Sequence, residues 1–254
     1  MKGTIILKPL EYNIFADGEK WRQGDMIKGS LKIKNHSMDN IELPALKISL
    51  AVGNFKKIKS KDKKAWESLA EIAFGEKISV APSEEKEFTW EFKLPEDCQI
   101  TENDKSIFLT YKDHDDTWPT GLLELVVDPK IVIIQFLEIL DNYLRFKVGT
   151  PKFSKGLVEI KCKPPTSKEM SHVDSLILRM KEVDKTLDIQ YIFNLHVFEM
   201  VAGNIMAQKK ITQVDQQLTS KQYYIYGNSL NHDFLISSIS TVIKEATPRF
   251  FLPK

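Results

Sequence analysis

The chain has 254 residues, which is enough for one large domain or two domains of ordinary size. Lys and Arg number 36 and Asp and Glu 35, so the formal net charge is +1. With 42% hydrophobic residues the chain is not intrinsically disordered, and without a basic excess it does not look like a dedicated nucleic-acid-binding protein. The balance hides an asymmetry, because residues 1–128 hold 19 basic and 23 acidic residues (−4) and residues 129–254 hold 17 and 12 (+5).

Alternation of apolar and polar residues predicts strands along most of the first half of the chain. The pattern occurs at residues 31–34, 87–94, 107–111 and 123–127. The pairs Asp17-Gly18, Gly24-Asp25 and Leu94-Pro95 predict turns near or between these segments. Many short strands at this spacing favour antiparallel sandwiches over βαβ units.

One segment of the first half has helical rather than strand periodicity. Asp62 is suited to cap a helix, and Gly75 is suited to end it. Between them, four apolar residues follow the i, i+3, i+4, i+7 spacing of one helix face: Trp66, Leu69, Ala70 and Ala73. The sequence therefore predicts one short helix here, lying across an edge or face of the first domain.

A domain boundary is predicted between Asp128 and Pro129. An alternating strand ends there, and Pro129 cannot donate a hydrogen bond to a strand ladder. We expect residues 1–128 and 129–254 to form two β-sandwich domains of about 125 residues each, a normal domain size.

The second half also alternates, at residues 144–148, 158–162 and 187–197. Gly203-Asn204 follows the longest of these segments and suits a hairpin that returns into a further strand. An apolar run covers residues 131–140. Residues 236–244 fit a helix and a strand about equally well, since several of them are β-branched.

Targeting and redox signals are mostly absent. No apolar run approaches the about 20 residues that a membrane-spanning helix needs, and the first ten residues lack a signal-peptide core. We therefore expect a cytoplasmic protein. Cys98 and Cys162 match no metal-binding spacing; they are either two free thiols in a reducing compartment or one disulfide.

The strongest local charge lies in residues 56–64. Six positive charges and one negative charge occur there within nine residues, the positive ones being Lys56, Lys57, Lys59, Lys61, Lys63 and Lys64. Such a run is suited to contact an acidic protein or an anionic membrane surface. It is also typical of a solvated loop whose lysines discourage edge pairing, and the sequence by itself favours that simpler interpretation. Because the run has no arginine and Phe55 is its one adjacent aromatic residue, nucleic-acid recognition is poorly supported.

The segment Asp113-His114-Asp115-Asp116 is the most chemically suggestive in the chain. Carboxylates and an imidazole could bind a divalent cation if the segment forms a loop. A polar turn between two strands explains the same residues and is the simpler interpretation. No EF-hand spacing, HExxH helix, GxSxG elbow or glycine-rich phosphate loop accompanies it, so the sequence predicts no catalytic site.

Residues 15–33 contain a phrase that resembles the opening of arrestin-like domains, G-[DE]-x-[IV]-x-G-x-[IVL]-x-[IV]. It reads here Gly24-Asp25-Met26-Ile27-Lys28-Gly29-Ser30-Leu31-Lys32-Ile33. Residues 87–95 resemble that family's F-x-F-x-[IL]-P strand, and residues 107–111 and 122–129 resemble the strands that finish its first domain. The overall size and the ending Val127-Asp128-Pro129 are similar to the bacterial sporulation-control (SpoOM-like) branch.

The resemblance implies an all-β protein of two immunoglobulin-like or arrestin-like antiparallel β-sandwiches, with one short helix in the first. It also implies a non-enzymatic regulatory adaptor or scaffold without a cofactor. Such a protein would bind partner proteins through sheet edges, concave faces and inter-domain loops. The alternative is a metal-dependent enzyme or metal-stabilised binding domain centred on His114, Asp115 and Asp116. A third reading is an extracytoplasmic chaperone-like pair of sandwiches, which the lack of a signal peptide disfavours.

Overall fold

The structure is a computed structural model that describes residues 1–113, 118–201, 204–226 and 229–246. The chain divides into two compact units, Met1–Asp128 and Pro129–Lys254. Strands account for 55% of the chain and helices for 17%, and the larger sheets are antiparallel. The prediction of an all-β fold class is confirmed at this level.

The first unit consists of strands with one short helix between them. In chain order, its described elements are β1 (Lys2–Leu7), β2 (Leu10–Ala16), β3 (Trp21–Arg22), β4 (Met26–Asn35), β5 (Ile41–Asn54), α1 (Phe55–Lys59), β6 (Trp66–Val80), β7 (Glu85–Lys93), β8 (Lys105–Lys112), β9 (Gly121–Leu125) and β10 (Val127–Asp128).

Two four-stranded antiparallel sheets, in the orders β1-β2-β4-β7 and β6-β5-β8-β9, form this unit. Alternation places one face of each sheet in a common core, which includes Ile14, Leu31, Ile48 and Leu109. A separate two-stranded pairing joins β3 to β10 in parallel. The first unit is therefore a β-sandwich.

The predicted helix between Asp62 and Gly75 is wrong, because these residues enter strand β6. The pairing of β5 with β6 shifts register between Leu50 and Ala51, and the shift passes over Leu69. A bulge of this kind changes which face the following residues occupy, so the partly buried Trp66, Leu69 and Ala70 imitate helical spacing, whereas Ala73 is exposed. Beyond the bulge, Ala70 and Ile72 alternate with exposed neighbours as in any half-buried strand.

The first and the last described elements of the second unit are helices. In chain order, its described elements are α2 (Ile131–Asn142), β11 (Lys147–Val148), β12 (Lys152–Ser154), β13 (Leu157–Lys163), a 3-10 turn (Lys168–Met170), β14 (Val173–Val183), β15 (Thr186–Val201), β16 (Asn204–Thr219), α3 (Ser220–Tyr223) and α4 (His232–Ala246).

The described strands of this unit form one antiparallel sheet, in the order β11-β13-β14-β15-β16 with β12 also on β13. Helices α2 and α4 contact each other, and α2 contacts β14 while α4 contacts β16. The second layer expected from a sandwich is thus helical among the described residues. Residues 131–140 are apolar on nearly every side, which suits a helix packed between neighbours as well as a buried strand.

For residues 236–244 the structure selects the helix. Helix α4 buries one stripe at helical spacing, made of Leu235, Ile239, Val242, Ile243 and Ala246. Packing of this stripe outweighs the weak strand preference of the β-branched residues. Among the described residues, no helix combines the length and the apolar character needed to cross a membrane.

Candidate functional site

The six lysines of residues 56–64 lie on helix α1 and on the turn that connects it to β6. Asn54 caps α1 through its side chain, which accepts a hydrogen bond from the backbone N–H of Lys57 at 3.1 Å. After the helix, Lys61 adopts a left-handed backbone conformation with φ of 52°. Asp62 then accepts a hydrogen bond from the backbone N–H of Lys64 at 2.8 Å. The lysine-rich segment is therefore an ordered turn held by its own polar residues.

Aromatic packing fixes both ends of this turn to the sheet. Phe55 meets the buried ring of Phe108 edge-on with centroids 5.7 Å apart, and Trp66 does the same at 5.3 Å. The backbone N–H of Asn54 also donates to the carbonyl of Ala65, which closes the base of the turn at 3.1 Å. Such edge-to-face pairs stabilise a fixed geometry, so the turn projects from a rigid base.

All six lysine side chains are exposed, and among the described residues none of them forms an ion pair. The one acid inside the run, Asp62, is occupied by backbone hydrogen bonding. Six ammonium groups on one short turn produce a local positive potential in a half of the chain whose net charge is negative. We call the residues Asn54–Trp66 the lysine turn. All six predicted lysines therefore lie on this one exposed turn.

Of the four residues in the predicted metal-binding segment, the structure describes Asp113 alone. His114, Asp115 and Asp116 lie outside the described residues. Asp113 is described, and its carboxylate accepts hydrogen bonds from the buried phenol of Tyr12 and, at 2.5 Å, from the hydroxyl of Thr120. Burial, together with the neighbouring Asp113 carboxylate, raises the pKa of Tyr12. Asp113 therefore links the end of β8 to strand β2.

Among the described residues, no three His, Cys, Asp or Glu side chains are grouped so that they could hold a metal ion. Cys98 and Cys162 are both free and buried, in different units. Burial raises the pKa of the Cys98 thiol to about 12 and that of Cys162 to about 11. Both thiols are consequently protonated at neutral pH and poor nucleophiles.

Sequence reasoning missed a cleft of about 690 Å³ in the second unit. Glu182 lines the cleft, and its carboxylate lies 3.2 Å from the ammonium group of Lys130 and 3.1 Å from the hydroxyl of Tyr223. Gln135 also lines it, and its buried carbonyl oxygen has no hydrogen-bond partner among the described residues. The lining comes from separate segments: Ile131, Gln135, Glu182, Lys185, Ser220, Lys221, Tyr223, Tyr224 and Ile225.

This cleft lacks the parts of a hydrolytic site among its described lining residues. Ser220 has no histidine beside it in the lining, and the carboxylate of Glu182 is already engaged. Nothing in the sequence pattern points to this cleft, because its lining residues belong to distant stretches of the chain.

No family model matches the chain, and no curated protein matches it either. Its structure is similar to the crystal structure of Spo0M, a sporulation control protein from Bacillus subtilis. The TM-score is 0.63 at 12% sequence identity, and the match covers 94% of this chain and all (100%) of that one. The chain has a Spo0M-like fold.

Two other solved structures match about half of the chain. They are the Pseudomonas fluorescens alkylpurine DNA glycosylase AlkC bound to DNA (TM-score 0.29, 10% identity, 47% of this chain and 30% of that chain) and a CARDB domain from Pyrococcus furiosus in complex with di-metal ions (TM-score 0.28, 10% identity, 50% and 95%). Their TM-scores are too low to carry an argument about this protein.

Proposed function

We propose that this protein is a non-enzymatic regulatory adaptor of the arrestin-like superfamily, acting in the cytoplasm, whose two units are its domains. The Spo0M-like fold supports a regulatory role, since the neighbour is a sporulation control protein. The observation that carries the proposal is the lysine turn, an ordered projection with six exposed ammonium groups. Its proposed ligand is an acidic segment of a partner protein.

The chemistry of the turn favours a protein partner over a nucleic acid or a membrane. Lysine ammonium groups act as point charges and lack the planar fork with which arginine grips phosphates. The flanking rings of Phe55 and Trp66 pack on Phe108, which leaves them unavailable to stack on bases. Among the described residues of the turn there is also no exposed large apolar side chain to enter a lipid interface. Carboxylates on a peptide remain the best match.

The test replaces all six lysines by glutamine: Lys56, Lys57, Lys59, Lys61, Lys63 and Lys64. Binding to immobilised poly-glutamate and to phosphatidylserine-containing vesicles is then measured at low and high salt. We expect the affinity for poly-glutamate to fall at least about tenfold, because several exposed ion pairs of a few tenths of a kcal/mol are lost together. Binding by the wild type should also weaken as salt rises.

The second unit offers a matched control. Six of its exposed lysines form no ion pair among the described residues, and replacing them makes the same charge change: Lys147, Lys152, Lys155, Lys161, Lys163 and Lys168. Each set contains one lysine with positive φ, Lys61 or Lys155, so the backbone cost is similar. Equal loss of binding in both variants would show a non-specific charge effect and contradict the proposal. If the wild type binds the vesicles more tightly than poly-glutamate, and the variant of the lysine turn loses that binding, the turn is instead assigned to membranes.

The metal alternative is separated by elemental analysis of the purified protein and by thermal melts with and without a chelator. Bound metal together with a chelator-sensitive midpoint would favour a site built on His114, Asp115 and Asp116. A midpoint that does not respond to chelator, with no metal in the protein, favours the adaptor.

A further inference from the structure

Strand β16 is the last strand of its sheet among the described residues, and it is unusually long. Its pairing with β15 runs without a register shift from Thr186 opposite Thr219 to Val201 opposite Asn204. It has 16 residues, about three times the usual strand length. Natural edge strands of this length are normally interrupted by bulges or proline, because an unbroken edge is a template for pairing with another chain. We propose that two copies of this chain pair through β16 in an antiparallel arrangement.

One face of β16 is exposed in the described part of the strand. Alternation places one set on the face of the sheet opposite the helices, and in the described part of the strand these are exposed: Lys209, Ile211, Gln213, Asp215 and Gln217. Ile211 is 69% exposed, a large value for an isoleucine in the middle of a strand. On the other face, Gln216 donates a hydrogen bond to Ser238 of α4 at 2.8 Å, so the helical layer covers that face near the end of β16.

Charge selects one register for a pair of identical strands. A two-fold axis perpendicular to the sheet must lie midway between the two copies of one residue. Only then do side chains on the helix-covered face of one copy lie opposite side chains on the same face of the other. Centred on Thr212, the axis places Lys209 of each copy opposite Asp215 of the other. It also places the two Thr212 side chains opposite each other, and Thr–Thr and opposite-charge pairs are both favourable across strands.

Neighbouring registers lack this complementarity. Centring the axis on Lys210 would bring the two Lys210 side chains face to face, a destabilising like-charge pair. Centring it on Ile211 or Gln213 leaves Lys209 opposite a glutamine, Gln213 or Gln217. Asp215 is also held on the open face, because Gln213 donates to both of its carboxylate oxygens at 3.0 and 3.2 Å. The arrangement joins two sheets into one continuous sheet with no new fold required.

The test is a charge swap measured by sedimentation velocity and light scattering over a range of protein concentrations. Lys209→Glu and Asp215→Lys each create two like-charge contacts through the symmetry, and we expect each to weaken dimerisation about tenfold or more. The double variant K209E/D215K restores both attractive contacts and should recover the dimer. The two positions are six residues apart on one strand, too far for an ion pair within one copy, so recovery would identify the pairing between copies.

Lys161→Glu is the matched control, because Lys161 is exposed on β13 of the same sheet and the charge change is identical. It should leave the dimer unchanged, and the thermal midpoints of all variants test whether they fold.

A wild-type protein that stays monomeric at every soluble concentration overturns the proposal. So does a protein that dimerises only after removal of residues 247–254, since that segment would then occupy the edge. Failure of the double variant to recover association overturns the register. None of these outcomes bears on the lysine turn, which is tested by poly-glutamate binding.

Discussion

Gly29 is the position where the structure makes the sharpest stability prediction. It lies on β4, opposite Ala16 of β2 and Trp90 of β7. A Cβ atom added at Gly29 would lie 1.9 Å from the carbonyl oxygen of Phe15 and 2.7 Å from the ring of Trp90. The first contact is with backbone, which a change of side-chain rotamer cannot relieve. Gly29→Ala should therefore force β2 and β4 apart.

The expected cost follows from this geometry. Inserting a methyl group into a well-packed core costs about 1–3 kcal/mol, and more where the obstacle cannot move. Both neighbours of Gly29 are constrained, because Trp90 is 3% exposed and Phe15 belongs to a paired strand. We expect Gly29→Ala to lower the free energy of unfolding of the first unit by about 3 kcal/mol or more. For a unit of this size, that corresponds to a fall in Tm of roughly 12 °C.

Urea denaturation followed by tryptophan fluorescence measures this effect, and Gly3→Ala provides the control. At Gly3 the nearest contact of an added Cβ is the side-chain methyl of Ile14 at 3.2 Å, which can adjust. Gly3→Ala should cost less than about 1 kcal/mol. If Gly29→Ala unfolds within about 0.5 kcal/mol of the wild type, the reasoning about close strand approach is wrong.

Three further predictions concern buried polar and titratable groups. Asp113→Ala removes the acceptor of the Tyr12 phenol and should cost about 2 kcal/mol in urea denaturation, whereas Tyr12→Phe should cost less than half of that. Cys98 and Cys162 should resist thiol reagents in the native protein and react fully in denaturant; rapid native labelling would contradict their burial. Stability should also fall as pH rises above about 9, because the unfolded thiols ionise there while Cys98 and Cys162 stay protonated until about 12 and about 11. Equal unfolding free energies at pH about 8 and about 10 would contradict this linkage.

The strands that could be predicted are those whose alternation continues without interruption. Strand β7 and strand β15 follow the period-two pattern over most of their length, and both are where the sequence places them. Strand β6 could not be predicted, because the bulge at Leu69 moves its inward residues from one parity to the other. Helix α2 could not be assigned either, since a run that is apolar on nearly every side has too weak a period to distinguish a helix from a buried strand.

The candidate site also has one part that the sequence predicts and one part that it does not. The lysine turn is local in sequence, and its charge was visible without a structure. The rigid base of the turn cannot be predicted from sequence, because Phe108 comes from a strand about fifty residues further along the chain. The same holds for Asp113, whose partner Tyr12 lies near the beginning of the chain. Contacts between distant residues depend on sheet order, which alternation alone does not specify.

The parallel pairing of β3 with β10 has a consequence for the order in which the first unit can assemble. It joins Trp21, near the beginning of the unit, to Val127, near its end. Val127 also donates its backbone N–H to the Thr101 hydroxyl at 2.8 Å, and its carbonyl accepts from the backbone N–H of Thr101, also at 2.8 Å. On the ribosome, Trp21 must wait for nearly the whole unit to emerge before its partner arrives. A nascent chain stalled before Val127 would therefore leave Trp21, which is buried in the finished unit, without its partner strand.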